Sequence, residues 1–377
     1  MEYTKKYNEL KSVFNPGTKE IKIPGSDIRI INTAFNSDSV SNPFSNAYDL
    51  SIAENSTFSY PVFVPANKEN KKVILLLHGL NERNWIKYLV WAYYLSRDTG
   101  SYVILFPISF HINRSPVSWS DPRAMFHFLN ERKLAHSEIN MSSFANIALS
   151  NRLTEDPMRF FNSGYQTVRD IEKLMLMIRN GGHHLIPGGS KVNIFAYSIG
   201  AFLAQIILMG NPGNLFSDSR LFMFCGGSVF SNMHGTSKLI MDSRAYDKLY
   251  RYYMTDFEED MSGKSPLVDI LRSSQIGMAF RSMIDFGRFK TFRENILNKL
   301  RERTHSIALS KDTVIPATGI IETMNSRSRN KNCPAEVWDF PYTYSHESPF
   351  PVFDTPASLA VDRSFERLFT AAALFLA

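Results

Sequence analysis

The chain has 377 residues, of which 44% are apolar and 21% charged, a balance typical of a globular protein with a sizeable core. Lysine and arginine exceed aspartate and glutamate only to a net charge of +6, without a basic stripe of interleaved aromatics, so nucleic-acid binding is not favoured. The two cysteines, Cys225 and Cys333, argue against a disulfide scaffold, and neither has metal-ligand spacing.

The N-terminal residues do not have the pattern of a targeting signal. Residues 1–14 carry lysines but lack the apolar segment of a signal peptide. No apolar run in the chain reaches the roughly 18 residues that span a bilayer. We therefore expect no membrane span and a cytoplasmic location.

The first predicted elements are strands. Residues 1–55 are mixed, and EIKIPGSDIRIINTAF predicts two short edge strands within them. FSYPVFVP predicts a strand that its proline places at a sheet edge. KKVILLLHGL (71–80) and SYVILFPISF (101–110) are apolar runs typical of strands covered on both faces. Between them, residues 85–100 have helical spacing and end in a glycine that favours a helix C-cap.

Strands and helices alternate through the rest of the chain. Strands that alternate with helices predict parallel pairing, with sites at the carboxyl ends of the strands. The predicted elements are short helices and loops (111–160), an amphipathic helix (162–182), a strand and helix (191–212), a strand (219–227), a long helical stretch (230–303), a strand (306–316), a helix (317–329), a strand (335–347) and a terminal helix (355–377).

A serine lies where a predicted strand meets a predicted helix, in KVNIFAYSIGAFLAQIILMGNP (191–212). A strand that reverses directly into a helix brings backbone against backbone, so the residues two before and two after the apex must be small. Here they are Ala196 and Gly200. The apex residue, Ser198, is then strained and lifts its hydroxyl clear of the sheet at a helix N-terminus. The pattern is that of a G-x-S-x-G nucleophile elbow with alanine in place of the first glycine.

Four segments together resemble the α/β-hydrolase superfamily. FAYSIGAF resembles its elbow, VILLLHGLNE its strand with a His-Gly segment, LSKDTVIP its acid segment and YTYSHESP its histidine loop. Ser198, Asp312 and His346 follow one another in the superfamily's order. Ser345 departs from the pattern, because a glycine is frequent before the histidine.

The resemblance implies a three-layer α/β/α fold with a central, mostly parallel sheet and helical cap insertions. It covers roughly residues 56–377, which would form one catalytic domain. Residues 1–55 would be an N-terminal extension packed on that core. The unmatched insertions fall at about 107–160 and 211–305, and the second lies where cap domains occur in the superfamily.

The resemblance also assigns the chemistry. His346 would take the proton of Ser198 as general base, and Asp312 would orient the imidazole and stabilise its cation. The backbone N–H groups of Leu80 and Ile199 would form the oxyanion hole. Two alternatives stay open: Asp339 is a rival acid, and His111 is a rival base.

Residues near these segments are candidates for contacting the substrate: Asn81, His111 and Tyr197. Glu82 and Arg83 could also contact it, but we interpret them as a pair that rigidifies the loop. Arg114 and Arg123 could bind an anionic group, although paired or solvated arginines are more common.

The implied activity is a serine hydrolase that cleaves a carboxylic ester or thioester of a small-molecule acyl substrate through an acyl-enzyme. No cofactor or metal is expected, since no pattern such as H-E-x-x-H occurs. An acyltransferase or peptidase with the same triad, and a non-catalytic relative that binds a ligand, are the alternatives. A dehalogenase or epoxide hydrolase is disfavoured because it needs aspartate at position 198.

Overall fold

A nine-stranded sheet with helices on both faces organises the protein. The structure, a computed structural model, describes residues 2–38, 46–325, 334–353 and 358–377. The basic segment 326–332 and Cys333 lie outside the described residues. Within the described ranges, the layers confirm the predicted α/β/α architecture.

Every predicted strand is present, mostly with shorter bounds, but the second of the two predicted short edge strands has eight residues and lies inside the sheet. The strands are β1 (Glu20–Lys22), β2 (Arg29–Asn36), β3 (Thr57–Val64), β4 (Lys72–Leu77), β5 (Tyr102–Phe106), β6 (Lys191–Tyr197), β7 (Leu221–Phe224), β8 (Thr304–Leu309) and β9 (Ala335–Trp338). Their order across the sheet is β1-β2-β3-β5-β4-β6-β7-β8-β9. The pairs from β1 to β3, and β3 with β5, are antiparallel, and all other pairs are parallel.

The prediction that the proline-containing strand lies at a sheet edge is wrong. Strand β3 lies inside the sheet, between β2 and β5. Its ladder to β5 contains only Val62 and Phe63, so Pro61 lies outside that ladder. The missing N–H of Pro61 therefore interrupts no hydrogen bond to β5.

Helices cover the two faces of the sheet. None of the described helices combines the length and the apolarity that a bilayer span requires. The helices are α1 (Tyr3–Val13), α2 (Ala47–Leu50), α3 (Ala53–Ser56), α4 (Ile86–Thr99), α5 (Pro122–Ala135), α6 (Ile147–Glu155), α7 (Arg159–Arg179), α8 (Ile199–Gly210), α9 (Ser243–Arg251), α10 (Phe257–Asp260), α11 (Pro266–Ser273), α12 (Gln275–Ile284), α13 (Lys290–Leu300), α14 (Ala317–Asn325) and α15 (Ser358–Leu376).

Alternating side chains along the central strands divide the core into two layers. Leu75 of β4 and Ile194 of β6 belong to the layer packed by α7, α8 and α12, which we call the front face. Leu76 and Phe195 point the other way, into the layer packed by α1, α4 and α15, the back face. This period of two is that of a strand covered on both sides.

The insertions differ in detail from the predicted boundaries. The segment 211–305 contains β7 and the start of β8, so the added helices are α9 to α13, between 243 and 300. The N-terminal residues 1–55 contribute β1 and β2 to the sheet itself, and α1 packs on the back face. The division into an extension and a catalytic domain stays a prediction.

Candidate active site

Ser198 occupies a strained turn between β6 and α8. Its φ of 58° and ψ of −125° are rarely adopted by a residue with a side chain. The turn needs glycine nearby: a Cβ on Gly200 would lie 2.6 Å from the carbonyl oxygen of His78, and one on Gly226 would lie 2.4 Å from the Cβ of Ala201. The close approach of α8 to the end of β4 therefore fixes the serine at the carboxyl edge of the sheet.

His346 and Asp312 lie in a line with this serine. Ser198 Oγ is 2.6 Å from His346 Nε2, and His346 Nδ1 is 2.7 Å from Asp312 Oδ2. Because the carboxylate accepts from Nδ1–H, Nε2 is left to accept the serine O–H. The other carboxylate oxygen, Oδ1, accepts the N–H groups of Val314 and Ile315 at 2.9 Å each. These bonds fix the acid, and all three site residues are buried.

The rival acid and the rival base lie apart from Ser198. Asp339 is exposed, 3.0 Å from the ammonium of Lys311, and it accepts the hydroxyl of Tyr344. His111 is buried and bonds through Nδ1 to the carbonyl oxygen of Ser109 at 2.8 Å. Burial lowers the pKa of His111 to about 3. No hydrogen bond joins His111 to Ser198 among the described residues.

Leu80 and Ile199, the residues predicted to form the oxyanion hole, lie beside Ser198. Leu80 and Ile199 line the same small cavity as Ser198. Ile199 is the first residue of α8, so its N–H has no acceptor within the helix. In the part of the chain that the structure describes, the N–H of Leu80 has no acceptor either. Both groups are therefore available to a ligand atom.

His78 holds the loop that carries Leu80. Its Nδ1 donates to the carbonyl oxygen of Gly79 at 2.8 Å, and its Nε2 accepts the N–H of Ile108 at 2.9 Å. Burial lowers the pKa of His78 to about 3, so the ring is neutral and can make both bonds. His78 is thus a structural residue that joins the ends of β4 and β5.

A second set of contacts ties this loop to the histidine loop. Glu82 forms an ion pair with Lys87, and Lys87 also donates to the carbonyl oxygen of Glu347 at 3.1 Å. The predicted pairing of Glu82 with Arg83 is wrong, because Arg83 donates to backbone carbonyls of the first insertion, including that of Ala145. The loop is rigid as expected, but through other partners.

The residues predicted to contact the substrate lie in different places in the structure. Asn81 lines the larger cavity, yet its Nδ2 already donates to the carbonyl oxygens of Ala145 and Leu239 at 2.7 Å each. Tyr197 lines neither cavity: it lies on the back face, 1% exposed, and its hydroxyl donates to the carbonyl oxygen of His346. The placement makes Tyr197 a support for the histidine and corrects its prediction as a substrate contact.

Neither arginine named in the sequence as a candidate anion-binding residue lines the larger cavity. Arg114 is fully buried and forms an ion pair with Asp170 at 2.7 Å. Arg123 is exposed on α5.

Two cavities open on the front face beside the serine. The larger one has a cavity volume of about 90 Å³ and the smaller one about 30 Å³. They share Leu80, Phe160 and Ile199. Sequence reasoning missed Arg152 and Arg159, which line the larger cavity, because a charged residue on an amphipathic helix carries no local signal of its direction.

A buried thiol lies behind the acid. The donor atoms of Cys225, Asp312 and His346 are all within 4.8 Å of one another. Burial raises the pKa of the Cys225 thiol well above its usual range, and the negative charge of Asp312 raises it further by a smaller amount. A neutral thiol is a poor metal ligand, and the carboxylate and imidazole already bond to each other. These residues therefore fit a hydrogen-bonded site better than a metal site.

The sheet order and the strained serine between β6 and α8 define an α/β-hydrolase fold. The sequence matches the family of unknown function DUF6051 over residues 38–377, and the chain belongs to that family. No curated protein matches the sequence.

Three solved structures with some similarity to this chain are two esterases and an alpha-beta-hydrolase. A hyperthermophilic esterase from Pyrobaculum calidifontis has 10% identity, covers 98% of this chain and 90% of that chain, and has a TM-score of 0.45. Carboxyl esterase 2 from Tuber melanosporum has 8% identity, 100% and 99% coverage, and a TM-score of 0.45. A peroxisomal alpha-beta-hydrolase from Saccharomyces cerevisiae has 12% identity, 93% and 89% coverage, and a TM-score of 0.41. These TM-scores lie below 0.5, so neither fold nor activity is inferred from them.

Proposed function

We propose that this protein is a serine hydrolase that cleaves a carboxylic ester or thioester through an acyl-enzyme on Ser198. The observation that carries the proposal is the pair of hydrogen bonds, 2.6 and 2.7 Å long, from Ser198 to His346 and from His346 to Asp312. A serine hydroxyl is a weak nucleophile until an adjacent base removes its proton, and this arrangement supplies that base. An unreactive serine would not need a strained backbone at the edge of two cavities.

The geometry supports a two-step reaction. Ser198 Oγ attacks the carbonyl carbon while His346 Nε2 takes its proton, and the imidazolium is stabilised by Asp312. The oxyanion accepts the N–H groups of Leu80 and Ile199, each worth about 2.7–4 kcal/mol of transition-state stabilisation. The intermediate expels the alcohol or thiol, which takes the proton from His346. Water then attacks the acyl-enzyme with His346 again as base, releasing the acid and Ser198.

Covalent labelling tests the nucleophile. We expect a fluorophosphonate probe to label the wild-type protein and not the Ser198→Ala variant. The exposed Ser217→Ala is a matched control that should label like the wild type. Equal labelling of Ser198→Ala and wild type would overturn the proposal.

Turnover separates the proposal from its alternatives. The wild-type protein should hydrolyse p-nitrophenyl esters or acyl thioesters of some chain length, with one acid released for each leaving group. Transfer of the acyl group to an added alcohol or amine in preference to water would assign an acyltransferase. Cleavage of peptides without cleavage of esters would assign a peptidase, and absence of labelling would favour a binding protein.

A further inference from the structure

The larger cavity has apolar walls but an unbalanced set of charges. Phenylalanine and aliphatic side chains from α7, α8 and α12 form most of its lining. Its charged lining residues are Glu82, Arg83, Arg152 and Arg159. Glu82 is already paired with Lys87, so it does not neutralise these arginines.

Arg152 is the cavity arginine with the fewest partners. Its side chain is buried, and the rings of Phe110 and Trp119 lie 4.3 and 4.7 Å from the guanidinium carbon. Its Nη1 is 3.1 Å from Asp49 Oδ1, without the geometry of a hydrogen bond. No acceptor within the described ranges takes a hydrogen bond from this guanidinium. This planar cation, in contact with two aromatic rings, thus has hydrogen-bond donors without an acceptor among the described residues.

The counter-charge behind Arg152 is shared. Asp49 accepts a hydrogen bond from Arg159 Nε at 3.0 Å, so one buried carboxylate is the counter-charge of two buried guanidinium groups. The other charged partner of Arg159 is Glu155, whose side chain is 72% exposed, and Arg159 also donates to the carbonyl oxygen of Arg152 at 3.1 Å. Water screens that exposed charge, whereas the buried charges are screened much less. The cavity wall therefore carries an excess of positive charge.

We propose that the substrate part held in the larger cavity ends in an anionic group, a carboxylate or phosphate, that pairs with Arg152. The apolar walls would hold the hydrocarbon between this anion and the ester. A buried cation is stabilised by a paired anion, and a guanidinium matches both carboxylate and phosphate as a fork. The inference rests on the proposed hydrolase function, because the cavity begins at Leu80 and Ile199 beside Ser198.

Matched substrates test the inference with the wild-type protein. Acyl p-nitrophenyl esters of equal chain length are compared with a methyl, a carboxylate or a phosphonate end. A second series, butyrate esters of hexanol and of 6-hydroxyhexanoate, places the anion in the alcohol. We expect kcat/KM for at least one anionic ester to exceed that of its methyl-ended partner tenfold or more. The carboxylate and phosphonate arms distinguish the two anions.

Variants connect the preference to Arg152. Arg152→Met removes the charge but keeps the bulk, and Asp49 keeps Arg159 as a partner, so we expect a folded protein. We compare kcat/KM for the anionic ester with kcat/KM for the methyl-ended ester. The ratio of the two should fall towards one in Arg152→Met and should be partly kept in Arg152→Lys. The exposed Arg123→Met should leave it unchanged.

A second readout does not need turnover. Octanoate should slow fluorophosphonate labelling of Ser198 more than octanol does in the wild type. The anionic assignment would be overturned if, in both series, the methyl-ended ester had a kcat/KM equal to or above that of the anionic ester and octanol protected Ser198 as well as octanoate. The proposed hydrolase function would be unaffected by that result. Absence of labelling altogether would instead remove the proposed function and this inference with it.

Discussion

The two faces of the central sheet serve the candidate site in opposite ways. On the back face, aromatic side chains pack against one another: Trp91 contacts the rings of Phe195, Tyr197 and Phe224. On the front face, α7, α8 and α12 leave two cavities beside Ser198. The comparison teaches that one face supplies rigidity to the reacting groups and the other supplies space for a ligand.

Both faces meet at the edge where the strands end. Ser198 lines the small front cavity, whereas Tyr197, one residue earlier, extends to the back face and stacks on His346 with ring centroids 5.5 Å apart. The base is thus held from behind while the nucleophile faces the cavities. Changes at the edge, on the front and on the back should therefore differ in size and in kind.

The largest effect should come from the buried acid at the edge. Asp312→Asn replaces the acceptor of His346 Nδ1–H by a group that can donate, which favours the wrong tautomer of the imidazole. We expect kcat for a p-nitrophenyl ester to fall about 10⁴-fold with a folded protein by circular dichroism. The rival acid provides the control: Asp339→Asn should keep activity within about twofold. A loss in Asp339→Asn instead would exchange the two roles.

The next effect tests the close contact that places the serine. A Cβ on Gly200 would be 2.6 Å from the carbonyl oxygen of His78. Because this neighbour is a backbone atom, relieving the clash would require the backbone itself to shift. We expect Gly200→Ala to lower the free energy of unfolding by about 3 kcal/mol or to prevent folding. Gly164 in α7 is the matched position, since its nearest neighbour would be Leu203 Cδ1 at 3.9 Å. Gly164→Ala should be neutral or stabilising by up to about 1 kcal/mol, measured by urea unfolding.

The elbow could be predicted because its constraint is local. Ala196 and Gly200 are small for a steric reason that any strand-to-helix reversal imposes, and Asp312 and His346 followed from the order of the segments. The period of two along a strand could also have placed Tyr197. Successive residues of a strand point to opposite faces, and Ala196, the residue before Tyr197, lies on the front face. A tyrosine next to the nucleophile in sequence therefore points to the opposite side.

The cavity charges could not be predicted in the same way. Arg152 pairs with Asp49 from the N-terminal segment, and nothing in either local sequence specifies that contact. The same holds for Arg83, whose partners are backbone carbonyls of the first insertion. Contacts of this kind depend on how distant segments pack, so the position of the arginines required the structure.

Two buried histidines, His78 and His111, should make stability depend on pH. The pKa of His78 and of His111 is about 3 in the folded protein because of burial, against an ordinary value of 6.5. Above pH 6.5 both histidines are neutral in the folded and in the unfolded protein. Below pH 6.5 they bind protons in the unfolded chain but stay neutral in the folded protein. Stability is therefore lost as pH falls from about 6.5 towards 3, by up to about 1.4 kcal/mol per pH unit for each histidine.

Urea unfolding at several pH values between 7.5 and 5.0 measures the slope of the free energy of unfolding against pH. His111→Gln should lower the slope by about one proton relative to the wild type below pH 6.5. The exposed Ser217→Ala, which changes no titrating group, should leave the slope unchanged. Identical slopes for His111→Gln and the wild type would show that this ring does not contribute.

The smallest effect should come from the back face. Tyr197→Phe removes only the hydroxyl that donates to the carbonyl oxygen of His346 and keeps the ring that stacks on the imidazole. Loss of one such bond is worth about 1 kcal/mol, so we expect kcat to fall up to about tenfold and KM to stay unchanged. A substrate contact would show the reverse, a raised KM with an unchanged kcat. Because the hydroxyl lines neither cavity, a change in KM alone would mean that the back face is open to the ligand and that the division between rigid and open faces is wrong.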